Sequence, residues 1–372
     1  MKLRIRVLTT SLMLAITLMA RAQVANQTLD LSDTAAFAAK LDLLRQRYHI
    51  PSLSVGVVHG RKLVWHKGLG YADMANKVVP DEHTVYHLAS VTKTFGALIL
   101  MQLVDAGTVS LDDPVTKYGI NLGARWGNDP RITVRHLLTH TAQGNALNGY
   151  KPGYSFMYNG AMYGQLKQVI EQASGQTFGQ LLVRNILLPL QLQHTAPNLA
   201  DTVDFALMGY NREAFAKRVA KPYDWQNDQL VSVTYPTYFG PSAGLMSCVA
   251  DLVLYSNAID DRLFLRPDTW DRLFTATVSP KGKTLPYGLG WFVQHQKGVK
   301  LLWHTGWWTG NSSLLVKVPE KELTFIILAN SQDLSRPFYA KFDFFRTNPR
   351  LQKDLRASAF GKAFLDQFVG KL

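Results

Sequence analysis

Between His87 and Gly107 the chain reads HLASVTKTFGALILMQLVDAG, and no other stretch constrains the fold as tightly. From Phe95 through Val104 only Gln102 carries a polar side chain, which predicts a helix apolar on nearly every side. Such a helix belongs at the centre of a core, with Gly107 as its stop. Ser90 falls at the start of this helix, and Lys93, three residues on, shares its face. Burial disfavours an ammonium group, so a lysine carried into a core is costly unless chemistry is made of it. A serine beside a desolvated lysine is a nucleophile beside a base. The same two residues also suit a capping serine and a lysine that reaches back to solvent, and the pair alone does not choose.

The N-terminus reads as an address. Lys2, Arg4 and Arg6 precede an apolar run from Val7 to Ala20, closed by Ala20-Arg21-Ala22 as a small-x-small cleavage pattern. The expectation is a signal peptide over 1–22, a mature chain over 23–372 and a periplasmic or secreted location. The run is short for a membrane crossing, so no integral span is expected after cleavage. Lys2, Arg4, Arg6 and Arg21 leave with the leader, which takes the formal charge from +13 to +9. That charge is dispersed. Its densest part, Lys341, Arg346, Arg350, Lys353 and Arg356, alternates with Asp343 and Asp354 like a solvated helix face, so no nucleic-acid partner is expected. Cys248 is the only cysteine, which excludes an intramolecular disulfide and a Cys/His zinc site. No histidine pair at helical ligand spacing stands beside an acidic partner, so neither metal nor cofactor is expected. Stability then has to come from a hydrophobic core.

In chain order, a helical pattern through Phe37, Leu41, Leu44 and Tyr48 gives way to a hairpin, SLSVGVVH over 52–59 and KLVWHKGLGY over 62–71, turning at Gly60-Arg61. After Gly107 come helices and loops: a helix capped by Thr133, one from Gly160 to Ser174 stopped at Gly175, and one opened by Thr177. Strands return over 287–296, 299–304, 312–318 and 323–328, and residues 351–372 read as covering helix. Two strands, a helical middle and four more strands predict an α+β fold, an antiparallel sheet flanked by helices with an inserted all-helical subdomain. The sheet subdomain takes about 30–85 and 285–372, the helical one about 108–284, and the cleft between them is the default ligand site.

Two further motifs join Ser90-Val91-Thr92-Lys93: Tyr158-Asn159-Gly160 within PGYSFMYNG, and His304-Thr305-Gly306 leaving a strand. In order and rough interval they resemble the serine β-lactamase and penicillin-binding-protein superfamily, in particular its class C β-lactamase-like branch. ITVRHLLTHT (132–141), SAGLMSCVAD (242–251), YGLGW (287–291) and LANS (328–331) support the resemblance, which covers most of 35–335. It implies a serine hydrolase acting through an acyl-enzyme on Ser90, with Lys93 and Tyr158 sharing the proton transfers as a coupled pair. The oxyanion donors it implies are the backbone N–H groups of Ser90 and Trp307, with His304, Thr305, Gly306 and Asn159 around the substrate. Gly306 is expected to let a substrate backbone pass close to the strand. The implied substrates are small esters, amides or peptides, cell-wall derived ones included, in the manner of esterases, D-aminopeptidases and DD-carboxypeptidases.

Two departures bear on substrate. Gly160 stands where the family pattern Tyr-x-Asn has its amide, and His304 stands where β-lactamases have lysine. A histidine is at best partly charged at neutral pH, which weakens a grip on a carboxylate. Both departures point away from a β-lactamase proper, which stays as an alternative beside a catalytically silent binder on the same fold. Trp307 and Trp308 add bulk that suits a narrow or aromatic-preferring pocket, or plain sheet packing on opposite faces. A different rival is Gly240-Pro241-Ser242-Ala243-Gly244, which fits the G-x-S-x-G nucleophile elbow with Asp251 and His304 following in order. An elbow needs a strand directly before the serine, and Pro236 and Pro241 interrupt that approach.

Overall fold

A computed structural model describes residues 29, 31–122, 130–142, 151–200, 202–339 and 351–370. The expected signal peptide and Lys341, Asp343, Arg346 and Arg350 of the basic cluster lie outside the described residues. The framework is a six-stranded antiparallel sheet in the order β2-β1-β10-β9-β8-β7. Its strands are β1 (Ser52–His59), β2 (Lys62–Gly70), β7 (Phe292–Gln296), β8 (Val299–Trp308), β9 (Asn311–Val318) and β10 (Leu323–Ala329). Two pairs of short strands, β3 (Tyr86–His87) with β6 (Met246–Ser247) and β4 (Tyr223–Gln226) with β5 (Gln229–Ser232), lie outside that sheet.

The central strands are buried along their whole length, β9 and β10 at every residue, because helices cover both faces. Side chains alternate between two cores accordingly. Leu301, Trp303, Phe325 and Ile327 enter one core with Phe37, Leu41, Phe360 and Phe364, from the helices α1 (Thr34–Arg47) and α11 (Ala359–Phe364). Leu302, Leu315, Ile326 and Leu328 enter the other, together with the helical section between β2 and β7. That section holds α2 (Thr92–Asp105), α3 (Val134–Leu138), α4 (Gly160–Gly164), α5 (Leu166–Ser174), α6 (Phe178–Leu182), α7 (Thr202–Met208), α8 (Arg212–Lys217), α9 (Val249–Asp260) and α10 (Pro267–Leu273). Helix α2 lies at its centre with every residue from Thr92 to Met101 buried, as its apolar sequence requires. No helix among the described residues is long and apolar enough to cross a membrane.

Local chemistry sets several boundaries. Thr133 and His136 form a reciprocal cap for α3, Thr177 and Gln180 do the same for α6, and Gly175 closes α5 in the left-handed conformation. The stretch from Gly160 to Ser174, expected as one helix, is two in line; Tyr238 Oη and Ser242 Oγ crowd Gly164 at the junction. Tyr287–Trp291, expected to open a strand, is a loop instead, and β7 starts at Phe292. Its Gly290 has φ +85, outside the range of a strand, and sits against Ala97 of α2 with no room for a side chain.

Candidate active site

Ser90 is half-buried in a single 3-10 turn, Ala89–Val91, that leads into α2. Lys93 follows inside the helix and is only 1% exposed. Its Nζ lies 3.0 Å from Ser90 Oγ and donates to the carbonyl oxygen of Ser242 at 2.8 Å. Desolvation lowers the Lys93 ammonium from 10.5 to about 7. A lysine at that value exchanges its proton near neutrality, and in the amine form it can take one from the serine hydroxyl it already touches.

Tyr158 stands on the far side of the lysine, with Nζ 5.1 Å from its ring centroid. Its hydroxyl is buried without a hydrogen bond of good geometry. Burial raises its pKa above the ordinary phenol range, and the neighbouring Ser90 hydroxyl offsets part of that. Tyr158 is therefore a phenol at neutral pH. His140 packs on its ring at 4.2 Å, and Tyr163 flanks the lysine from the same side while donating its hydroxyl to the Lys93 carbonyl at 3.0 Å.

Asn159 and Gly160 differ from an amide facing the lysine. Asn159 Oδ1 accepts from Met162 N–H as the cap of α4, and its backbone N–H goes to His140 Nδ1. A Cβ placed on Gly160 would stand 3.9 Å from Lys93 Nζ, so the space of the missing side chain opens onto the lysine.

His304 is fully buried. The Tyr287 hydroxyl pairs with its Nε2 at 2.8 Å and the Thr305 carbonyl with its Nδ1 at 2.8 Å. The carbonyl can only accept, so the proton belongs on Nδ1 and Nε2 takes the phenol proton. Desolvation, with the Lys93 charge second, holds this imidazole down at about 3. His304 is thus a neutral, doubly engaged group.

The register of β8 settles which atoms face the cleft. Trp308 pairs with Asn311 across a two-residue turn, which makes it a hydrogen-bonded pair, and the alternation sends Thr305 and Trp307 backbone groups to the opposite edge. Strand β7 pairs β8 only as far as Trp303, so the N–H of Trp307 lies on a free edge. The side chains follow the opposite rule. Trp307 stacks on Tyr339 at 4.4 Å, while Trp308 meets His87 and Tyr238, both at 5.8 Å. Trp308, not Trp307, adds aromatic bulk toward the helical section. Thr305 Oγ1 pairs with Ser335 Oγ at 2.7 Å. Gly306 faces the turn that carries Ser90, and a Cβ there would meet Leu88 O at 2.2 Å and Ala89 Cβ at 3.1 Å. Its lack of a side chain seats the serine turn on the strand, where a passing substrate was expected.

The elbow arrangement does not assemble. Ser242 Oγ pairs with Tyr238 at 2.9 Å, Asp251 with Thr195 and the His194 N–H at 2.7 Å each, and His304 with Tyr287. Sequence reasoning missed the Ser242 carbonyl as the acceptor for Lys93 and Tyr287 as the partner of His304, although both lie in stretches that carried the resemblance. Among the described residues no group of three or more His, Cys, Asp or Glu side chains could hold a metal ion.

The family model "Beta-lactamase" matches residues 34–344. The chain belongs to the beta-lactamase family. This member is 27% identical over 318 residues to the protein flp of Staphylococcus aureus, covering 77% of this chain and 60% of that protein. It is 24% identical over 318 residues to penicillin-binding protein 4* of Bacillus subtilis, covering 75% and 68%. The chain thus spans about 60% of the length of flp. The octameric penicillin-binding protein homologue from Pyrococcus abyssi shares the fold at TM-score 0.69 and 24% identity, over 81% of this chain and 74% of that one. A penicillin-binding protein from Bacillus halodurans does so at 0.64 and 21%, over 78% and 95%.

Proposed function

We propose that the protein is an acyl-enzyme hydrolase of small, uncharged esters or amides, with Ser90 as nucleophile. The observation that carries this reading is the 3.0 Å approach of Lys93 Nζ to Ser90 Oγ, by a lysine held at about 7. Neutral Lys93 removes the serine proton as the hydroxyl attacks the acyl carbon. Tyr158, a phenol beside both groups, passes a proton to the leaving group and regains one from the water that later attacks the acyl carbon, while Lys93 returns its proton to the departing Ser90 Oγ. The free N–H of Trp307 and that of Ser90 receive the oxyanion. Asn159 contributes by capping α4 behind Tyr158, and Thr305 and His304 by shaping the edge of β8.

Neutral substrates are favoured because His304, in the place of a gripping cation, is buried, engaged on both nitrogens and uncharged. A β-lactam or a peptide with a free carboxylate lacks its fixed partner here. The name of the Bacillus subtilis relative says that it binds penicillin, so penicillin is the comparison substrate. The leader-like N-terminus supports export, which would bring cell-wall peptides within reach. A catalytically silent binder is the second reading, favoured by Gly160, which leaves Lys93 without the family's amide.

Labelling with a fluorophosphonate, followed by peptide mass mapping, tests the reading. The expected adduct is on Ser90 and is absent from Ser90→Ala, which also loses hydrolysis of short esters by about a thousandfold or more while keeping its Tm. Full esterase activity in Ser90→Ala would sink the mechanism. Failure of both fluorophosphonate and penicillin to acylate the protein would leave the silent binder.

A further inference from the structure

Three positions before Ser90 stands a histidine that the mechanism does not use. His87 ends β3, is 1% exposed and accepts the backbone N–H of Ala89 on Nδ1 at 3.0 Å. Ala89 has φ +47, the left-handed region that an alanine enters only under strain. The cause lies on either side of it. Leu88 is tied on two sides at once, its N–H to Leu245 O, just before β6, at 2.8 Å and its carbonyl to Ser313 Oγ of β9 at 2.7 Å. Lys93 is fixed in α2 and to Ser242. The chain has to reverse between those anchors within one residue if Ser90 Oγ is to meet Lys93 Nζ, and Ala89 makes that reversal.

The bond from His87 to the N–H two residues on has the form of an Asx turn, in which a side-chain acceptor stabilises a local reversal. The imidazole is itself held, stacked on Tyr235 at 6.4 Å and set edge-on to Trp308 at 5.8 Å. Burial keeps it near 4, so its Nδ1 lone pair is available throughout the neutral range.

We infer that His87 is a positioning residue: through Nδ1 it holds Ala89 in the left-handed turn that aims Ser90 Oγ at Lys93. The inference rests on the nucleophile reading of Ser90. A histidine that merely fills space would be replaced without kinetic loss by an apolar residue of similar size, and the acceptor would be irrelevant. A histidine that holds the turn can be replaced only by another acceptor, or made unnecessary by a residue that needs no holding.

The test measures the second-order rate of Ser90 phosphonylation by a fluorophosphonate, with Tm recorded for every variant. His87→Leu should react between about tenfold and a hundredfold more slowly, the scale of a displaced nucleophile. His87→Asn, whose Oδ1 can accept the same N–H, should stay close to the wild-type rate. The double variant His87→Leu with Ala89→Gly should recover most of the loss, because glycine adopts positive φ without strain. Should His87→Leu not fold, His87→Met takes its place as filler. Equal rates for His87→Leu and wild type overturn the proposal, as do equal losses in the leucine and asparagine variants with no recovery from Ala89→Gly. A wild type with no adduct on Ser90 overturns the nucleophile reading itself, and this inference with it.

Discussion

Gly160 decides more at the level of single residues than its size suggests. It leaves Lys93 hydrogen-bonded to Ser242 O and Ser90 Oγ, beside the ring faces of Tyr158 and Tyr163, with no counter-charge among these neighbours. An amine so placed loses its proton near pH 7, and in the proposed mechanism it is the amine form that activates the serine. The acylation rate should therefore rise with pH through a midpoint near 7, the limb reporting the Lys93 and Tyr158 pair as a unit. Gly160→Asn puts a carbonyl oxygen within reach of Nζ, since a Cβ at that position already stands 3.9 Å away. An acceptor favours the ammonium form, so the midpoint should move to higher pH, and the rate at pH 6 should fall further than the rate at pH 9. A midpoint that stays put in Gly160→Asn, read from labelling rates between pH 5 and 10, would show that the limb belongs to another group.

Elements rather than residues fix how the serine turn meets the free edge of β8. Strand β8 outruns β7 by the stretch His304 to Trp308, and the turn at Leu88 and Ala89 sits directly on Gly306 of that overhang. A methyl group on Gly306 would fall 2.2 Å from Leu88 O and 2.3 Å from Ser313 Oγ, both fixed atoms of the interface. Gly306→Ala should push turn and strand apart, cost about 1–3 kcal/mol of stability and lower kcat for a neutral ester far more than it raises KM. An increase in KM alone would return Gly306 to the role of substrate clearance. The hairpin over 52–59 and 62–70, the strands and the central α2 were legible in the sequence because burial and period mark them along the chain. That Ser90, Lys93 and Tyr158 lie together was legible because their spacing resembles a known motif. The contact between Gly306 and Leu88, the Tyr287 lock on His304 and the packing of Trp307 on Tyr339 were not. Each depends on which edge and face of β8 a residue takes, and that follows from a register set by the turn at Thr309-Gly310.

Taken as a whole, the molecule holds an ionisable group at the seam where its helical section meets the sheet, and stability should register that expense. The unfolded chain keeps Lys93 near its ordinary 10.5, whereas the folded protein holds it near 7. Between those values the unfolded state binds the additional proton, so this group makes stability rise with pH. Below about 7 both states are protonated and the full penalty of a buried ammonium group is present. Lys93→Met keeps the apolar stem and removes the charge, at the expense of the hydrogen bond to Ser242 O. The variant should be inactive in hydrolysis and in labelling. Its Tm relative to the parent should improve as pH falls from 9 to about 7 and level off below that, at about 2–4 °C per kcal/mol. A Tm difference independent of pH would mean that Lys93 keeps an ordinary pKa inside the fold. It would then be a poor base at neutrality, and the proton would have to leave Ser90 by way of Tyr158.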